Sequence, residues 1–154
     1  MARSSVRSIS PRNGDWGDPG WMLPALVGPM RTFGSLVDEA RTLLNDKIGT
    51  SGGSLRYTDD ELFEAINGAV AEIRNTRPDI FIRVFGRRSL RVPLPYYTAA
   101  TNMNTLFPID YSTYNAVVYY VVGRSELRED TFSDDSRAVT LMNKFKSQLL
   151  TVQS

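Results

Sequence analysis

The sequence predicts a mainly α-helical fold: a four-helix bundle with a β-hairpin or extended loop projecting between helices 2 and 3, and an extended N-terminal arm. Three observations carry that expectation. Apolar residues recur at helical spacing over about 33–47, 58–77 and 133–151. One of these segments opens on Thr58-Asp59-Asp60-Glu61, a capping box in which the Thr hydroxyl and the Glu carboxylate satisfy each other's backbone amides. The chain has 154 residues, 42% apolar and 23% charged. That is the composition of a globular protein, long enough to bury roughly 70% of its unfolded surface in a single core.

The chain divides into an arm, 1–31, and a helical domain, 32–154. The arm holds Gly14, Gly17, Pro19, Gly20, Pro24, Gly28 and Pro29, which interrupt helix and strand alike. It also holds Trp16 and Trp21. Exposed indoles are common at interfaces, so the arm is expected to lie on its own core or on a neighbouring subunit.

The first helix, about 33–47, places Leu36, Val37, Ala40, Leu43 and Leu44 on one stripe, with Asp38, Glu39, Arg41 and Asn45 opposite. Gly49, Gly52 and Gly53 mark a loop after it. No strand precedes that loop and no Gly-Lys-Ser/Thr closes it, so it is a connector and not a phosphate cradle. The second helix, about 58–77, buries Leu62, Phe63, Ile66, Ala69, Val70 and Ile73, and stops at Pro78. Its opening carboxylates suit the positive end of the helix dipole and need no metal to explain them.

Ile80-Phe81-Ile82-Arg83-Val84-Phe85 is β-branched and aromatic, Gly86 punctuates it, and Pro93 and Pro95 follow Val92. A short hairpin over about 80–92 is the expected element. Arg83, Arg87, Arg88 and Arg91 alternate there with Phe81 and Phe85, a pattern that single-stranded nucleic-acid sites share. The stretch 93–109 carries no readable element.

The third helix, about 110–130, is capped by Asp110 or Ser112. Ala116 to Val122 would read as a strand by propensity alone; the candidate caps before it and Arg124-Ser125-Glu126-Leu127-Arg128-Glu129 after it favour helix. Apolar nearly all round, such a helix needs cover on most sides. A subunit interface through Tyr119, Tyr120 and Val122, joined by Trp16 and Trp21, is the expected second cover. The fourth helix, about 133–151, starts at Ser133 and repeats Ala138, Leu141, Met142, Phe145 and Leu149.

The chain has no cysteine and no histidine. That removes disulfides, thiolate and imidazole metal sites, and histidine-based triads. Asp110 with Glu126 or Asp130 is the one carboxylate pair that can be constructed, and its members lie far apart along one helix. The chain is therefore read as no enzyme, with no cofactor and no metal. Eighteen basic against seventeen acidic residues leave a net charge of +1, so only a local patch could attract a polyanion. No apolar run approaches the roughly 20 residues of a membrane span.

Leu36-Val37-Asp38-Glu39-Ala40-Arg41-Thr42-Leu43-Leu44-Asn45-Asp46, then Arg56-Tyr57-Thr58-Asp59-Asp60-Glu61-Leu62, then Ile66 to Ile73 and Arg77-Pro78-Asp79 resemble the head-to-tail adaptor (connector, or head-completion) proteins of tailed bacteriophages. That family shows a helix ending in Leu-x-Asp, an aromatic-Thr/Ser-Asp-x-Glu-Leu start, an Asn-x-Ala helix and an Arg-Pro stop. Pro108, Tyr111, Tyr114 and Gly123 to Asp130 are similar to its third helix, and Phe145 to its closing one. The resemblance covers about 33–150; the arm departs from it, because these adaptors usually begin at the first helix.

The resemblance implies a virion protein at the head–tail interface, made in the host bacterial cytoplasm. It implies a ring of about twelve copies beneath the portal, which extends the DNA channel without sequence-specific binding and gives the tail a docking surface. On that reading the hairpin residues Arg83, Phe85, Arg87, Arg88 and Arg91 face the next tail or nozzle protein. The C-terminal residues Lys144, Lys146, Leu149 and Leu150 face the portal protein. The alternative is a small helical nucleic-acid-binding module that sets Arg83, Arg87, Arg88 and Arg91 on phosphates.

Overall fold

The computed structural model describes residues 31–46, 53–128 and 135–152. Among them the protein is mainly α-helical, with no strand and a single isolated bridge between Thr32 and Leu106. In chain order the helices are α1 (Phe33–Leu44), α2 (Asp59–Thr76), α3 (Pro78–Phe85), α4 (Ala99–Asn102), α5 (Tyr111–Leu127) and α6 (Asp135–Thr151), with a short 3₁₀ turn at Arg87–Leu90. Trp16, Trp21 and Ser133 lie outside the described residues.

Helix α1 starts on a cap that the sequence pattern did not single out: the Thr32 hydroxyl accepts from the Ser35 amide at 3.1 Å. It ends at Leu44 because Asn45 turns left-handed, φ 56°, and returns its amide to the carbonyls of Arg41 and Thr42. Asparagine tolerates that conformation better than most residues. Helix α2 begins on the expected box, Thr58 N–H donating to Glu61 Oε2 at 2.8 Å and Glu61 N–H to Thr58 Oγ1 at 3.3 Å.

The hairpin expected over about 80–92 is corrected to helix α3 and the 3₁₀ turn. Pro78 stops α2 and also supplies the first residue of α3, where its missing amide is not needed. Ile80, Phe81, Val84 and Phe85 then fall at i, i+1, i+4 and i+5, a helical stripe that overrides strand propensity. Ile80 and Phe81 are fully buried, and the Phe85 ring lies 4.6 Å from Phe81 one turn away. Gly86 ends the helix at φ 82°, a conformation that side chains rarely adopt.

The stretch 93–109, unread in the sequence, runs across the start of α1. Phe33 N–H donates to Thr105 O at 3.0 Å, Gly34 N–H to Met103 O at 2.8 Å, and Phe107 N–H to Arg31 O at 2.7 Å. Phe33 gathers Phe63, Tyr97 and Phe107 around itself, with ring centroids 4.6–5.7 Å away.

The segment with the strongest strand propensity is helical and is the centre of the domain. Helix α5 packs on α6, α2 and α1, and Ala116, Val117, Val121 and Val122 are fully buried. At these positions three helices of the same chain supply the cover that a subunit interface was expected to supply. Asp110 stands at its N-cap position without capping it; its carboxylate accepts from Arg83 at 2.6 Å instead.

Burial raises the phenol pKa of Tyr97, Tyr114 and Tyr120 above the ordinary value. The fold therefore favours their neutral forms. Their contribution to stability is complete below the ordinary phenol pKa of about 10 and is lost as pH climbs above it. The expected result is alkaline unfolding in which the last phenolate absorbance near 295 nm appears together with loss of helical circular dichroism. Ionisation of all seven tyrosines near pH 10 with helicity intact would refute it.

Candidate assembly surfaces

The basic residues singled out in the sequence come together at the end of α2, and they do not behave as one patch. Arg83 is engaged by Asp110, and Arg74 donates to the Val92 carbonyl at 3.1 Å. Arg87, Arg88 and Arg91 are exposed, and among the described residues none has a carboxylate partner. Phe85 packs half-buried against the core and is not an exposed member of this surface. Three of the five residues expected at this surface are thus exposed cations without a carboxylate partner among the described residues, Arg87 and Arg88 on the 3₁₀ turn and Arg91 just after it, and not on a hairpin tip.

Next to them, Val92 is 51% exposed and Tyr96 73% exposed. The sequence reading treated Pro93 and Pro95 as the end of an element. Their alternation with Val92, Leu94 and Tyr96 was the available signal that an ordered strip continues there.

At the C-terminal end, Lys144 and Lys146 are exposed and Leu150 is 65% exposed. Leu149 is fully buried. It is corrected from portal contact to core, because the helical stripe of α6 carries it inward with Phe145. Arg77 fixes this end. It donates to the carbonyls of Leu149 at 2.7 Å and Val152 at 3.0 Å, and its hydrogen bonds with Asp79 hold that carboxyl below the usual carboxylate range. The carbonyls at a helix C-terminus lack intrahelical partners, so one side chain ties α6 to the α2–α3 junction. In the sequence Arg77 stands out only as part of the Arg-Pro stop; its tie to α6 spans more than seventy residues and no local pattern records it.

Val122 is likewise corrected from subunit contact to core. Tyr119 and Tyr120 are half-buried on two different flanks of α5. Tyr120 borders a groove of about 490 Å³ between α2 and α5, which also takes in Glu64, Gly68, Arg124 and Arg128. Arg128 meets Glu64 there at 3.2 Å, and its mouth is open to solvent. Tyr119 walls a second groove of about 260 Å³ between α1 and α5.

The most ordered polar site is internal. Asp46 is 1% exposed and Arg41 7% exposed. Arg41 donates to Asp46 Oδ2 at 2.8 Å and to Asp59 Oδ1 at 2.6 Å. Asp46 also accepts from the amides of Arg56 at 2.7 Å and Tyr57 at 3.0 Å. Arg41, expected on the solvent face of the first helix, is instead the bolt between α1 and α2. Among the described residues no group of three or more acidic side chains converges as a metal site, and no helix is long and apolar enough to cross a membrane. Set against family models, curated proteins and solved structures, the chain matches none of them.

Proposed function

We propose that this chain is a head-to-tail adaptor of a tailed bacteriophage. About twelve copies form a closed ring beneath the portal. The ring prolongs the DNA channel and presents a surface to the next tail component. The reading gives the chain a structural role in the virion neck and no catalysis. The long helices α1, α2, α5 and α6 are the adaptor bundle, and α3 is anchored on it through Ile80 and Phe81 and leads into the exposed arginines.

One observation carries the reading. The positions on which the adaptor resemblance rests are those that join elements in this chain. Asp46 and Tyr57 close the α1–α2 connection, Thr58 and Glu61 start α2, and Arg77-Pro78 makes the α2–α3 corner and holds α6. A motif spread over three junctions is more specific than caps and amphipathic stripes taken singly.

The decisive experiment is mass photometry of the protein alone and with a portal ring from the same phage, across a salt series. The expected result is joining of the portal ring in about twelve copies. A chain that stays monomeric, ignores the portal and shifts on DNA with steep salt dependence would refute the reading. The three free arginines would then be phosphate contacts, as the nucleic-acid alternative requires.

A further inference from the structure

Residues 87–92 form a short surface of one character. Arg87, Arg88, Leu90, Arg91 and Val92 are all exposed, Leu90 at 41%, and Ser89 alone among the six is buried. In a 3₁₀ turn residues three apart stand one above the other. Arg88 and Arg91 are such a pair, for the Arg91 amide donates to the Arg88 carbonyl at 3.0 Å. A rise of about 2 Å per residue sets their backbones roughly 6 Å apart along the turn. Both ends of the surface are held. The Ser89 amide donates to the Gly86 carbonyl at 3.1 Å, its hydroxyl donates to the same oxygen, and Arg74 of α2 donates to the Val92 carbonyl at 3.1 Å. A surface ordered before binding loses little entropy on docking.

Arg83 and Arg74 nearby are engaged within the chain, whereas Arg87, Arg88 and Arg91 meet no carboxylate among the described residues. Guanidinium forks suit carboxylates and phosphates alike, and two observations favour the carboxylate. Sites for single-stranded nucleic acid stack bases on exposed aromatic rings. The rings that alternate with arginine in this sequence are taken up by the core, Phe81 fully buried and Phe85 packed against it. The exposed apolar residues are aliphatic instead, Leu90 and Val92 on either side of Arg91. Such side chains gain little from a phosphate backbone, but they bury well against apolar side chains of a protein. Three cations also release few counterions, so duplex DNA would be held weakly at moderate salt.

We propose that residues 87–92 bind an acidic segment of another protein, whose carboxylates meet Arg88 and Arg91 and whose apolar side chain packs on Leu90 and Val92. The identity of that protein rests on the ring reading, which makes it the next tail component. Arg83 and Phe85, engaged within the chain, take no part.

The test is fluorescence anisotropy at low salt with three labelled probes of equal length: a peptide of Glu-Glu-Leu repeats, oligoglutamate and oligothymidylate. The Glu-Glu-Leu peptide is expected to bind tightest. Arg88→Gln/Arg91→Gln is expected to weaken it about tenfold. Arg124→Glu makes the same change in net charge at an exposed site elsewhere, and it is expected to bind like the unaltered chain. Leu90→Ser is expected to weaken the Glu-Glu-Leu peptide about fivefold and to leave oligoglutamate unmoved. Circular dichroism checks the fold of each variant. Failure of the unaltered chain to bind the Glu-Glu-Leu peptide overturns the proposal, as does full binding by Arg88→Gln/Arg91→Gln or an equal loss in Arg124→Glu. Tighter binding of oligothymidylate through the same arginines also overturns it, and makes the turn a phosphate site. Mass photometry on the portal ring separates the two readings. Arg88→Gln/Arg91→Gln is expected to join the portal like the unaltered chain; if it alone fails to join, the turn faces the portal and the tail placement is overturned. If the unaltered chain ignores the portal, the ring reading has failed, and the peptide result decides the proposal by itself.

Discussion

Replacing Asp46 with alanine lowers the unfolding free energy by about 3–5 kcal/mol, the usual loss when one partner of a buried ion pair is removed. The size follows from what is left behind. Arg41 is 7% exposed and keeps its charge, with only the half-exposed Asp59 carboxylate to meet it. The amides of Arg56 and Tyr57 lose their acceptor at the same time, and the unsatisfied buried donor of Tyr57 costs a further share of about 1–3 kcal/mol. Asp46→Asn keeps one acceptor oxygen for those amides but not the charge, so it falls between the two. Urea midpoints give the series. The double substitution Arg41→Met/Asp46→Leu removes both charges, and it is expected to recover much of the loss because a paired charge in the interior is a weak stabiliser against an apolar replacement. If Asp46→Ala leaves the midpoint unmoved, the α1–α2 junction is held by apolar packing alone.

That junction also shows what the sequence could and could not disclose. The box at Thr58 and Glu61 was legible because both partners lie within one turn of each other, and a local spacing rule is enough to find them. Arg41 and Asp46 lie on either side of a helix end, and Asp59 comes thirteen residues later. A charged residue on a helix reads as solvated until something folds over it, so the bolt was invisible and Arg41 was placed outside. The segment Ile80–Phe85 failed for another reason. Its residues fit both a strand by propensity and a helix by spacing, and only the packing of Ile80 and Phe81 into the core chooses between them. Helix α5 posed the reverse problem. The candidate caps before it and the helix formers after it pointed to the right element against propensity, although Asp110 turns to Arg83 and does not cap; the extent of its cover depends on α1, α2 and α6 reaching it together, which no local pattern records. Among the residues expected at surfaces, Leu149, on the apolar stripe of its helix, and Val122, on a helix covered from several sides, turned inward. Arg87, Arg88 and Arg91, which belong to no stripe, stayed exposed.

Phe145→Ala should cost about as much as the loss of Asp46, roughly 3–5 kcal/mol, the range for deleting a buried phenylalanine ring. Phe145 is fully buried on α6. Its ring meets that of Tyr120 edge to face, centroids 5.0 Å apart at 65°, a geometry that adds to area burial. Tyr120 in turn crosses to α2, where a Cβ on Gly68 would stand 3.2 Å from its hydroxyl. Three helices are therefore stacked through one glycine and two rings, and removing the middle contact loosens α6 from the other two. Two readouts separate this from a merely local cavity. The Tyr120 phenol, whose pKa burial holds up, is expected to titrate closer to the ordinary value once water reaches it. The amides near Thr151 should also exchange faster, because the Arg77 bonds to the Leu149 and Val152 carbonyls depend on α6 lying in place. Phe145→Leu, which keeps most of the volume, is expected to lose less and to leave both readouts close to those of the unaltered chain. If Phe145→Ala lowers stability while the Tyr120 titration and the Thr151 exchange stay fixed, the ring fills a void within α6's own contacts. The coupling of the C-terminal helix to α2 would then run through Arg77 alone.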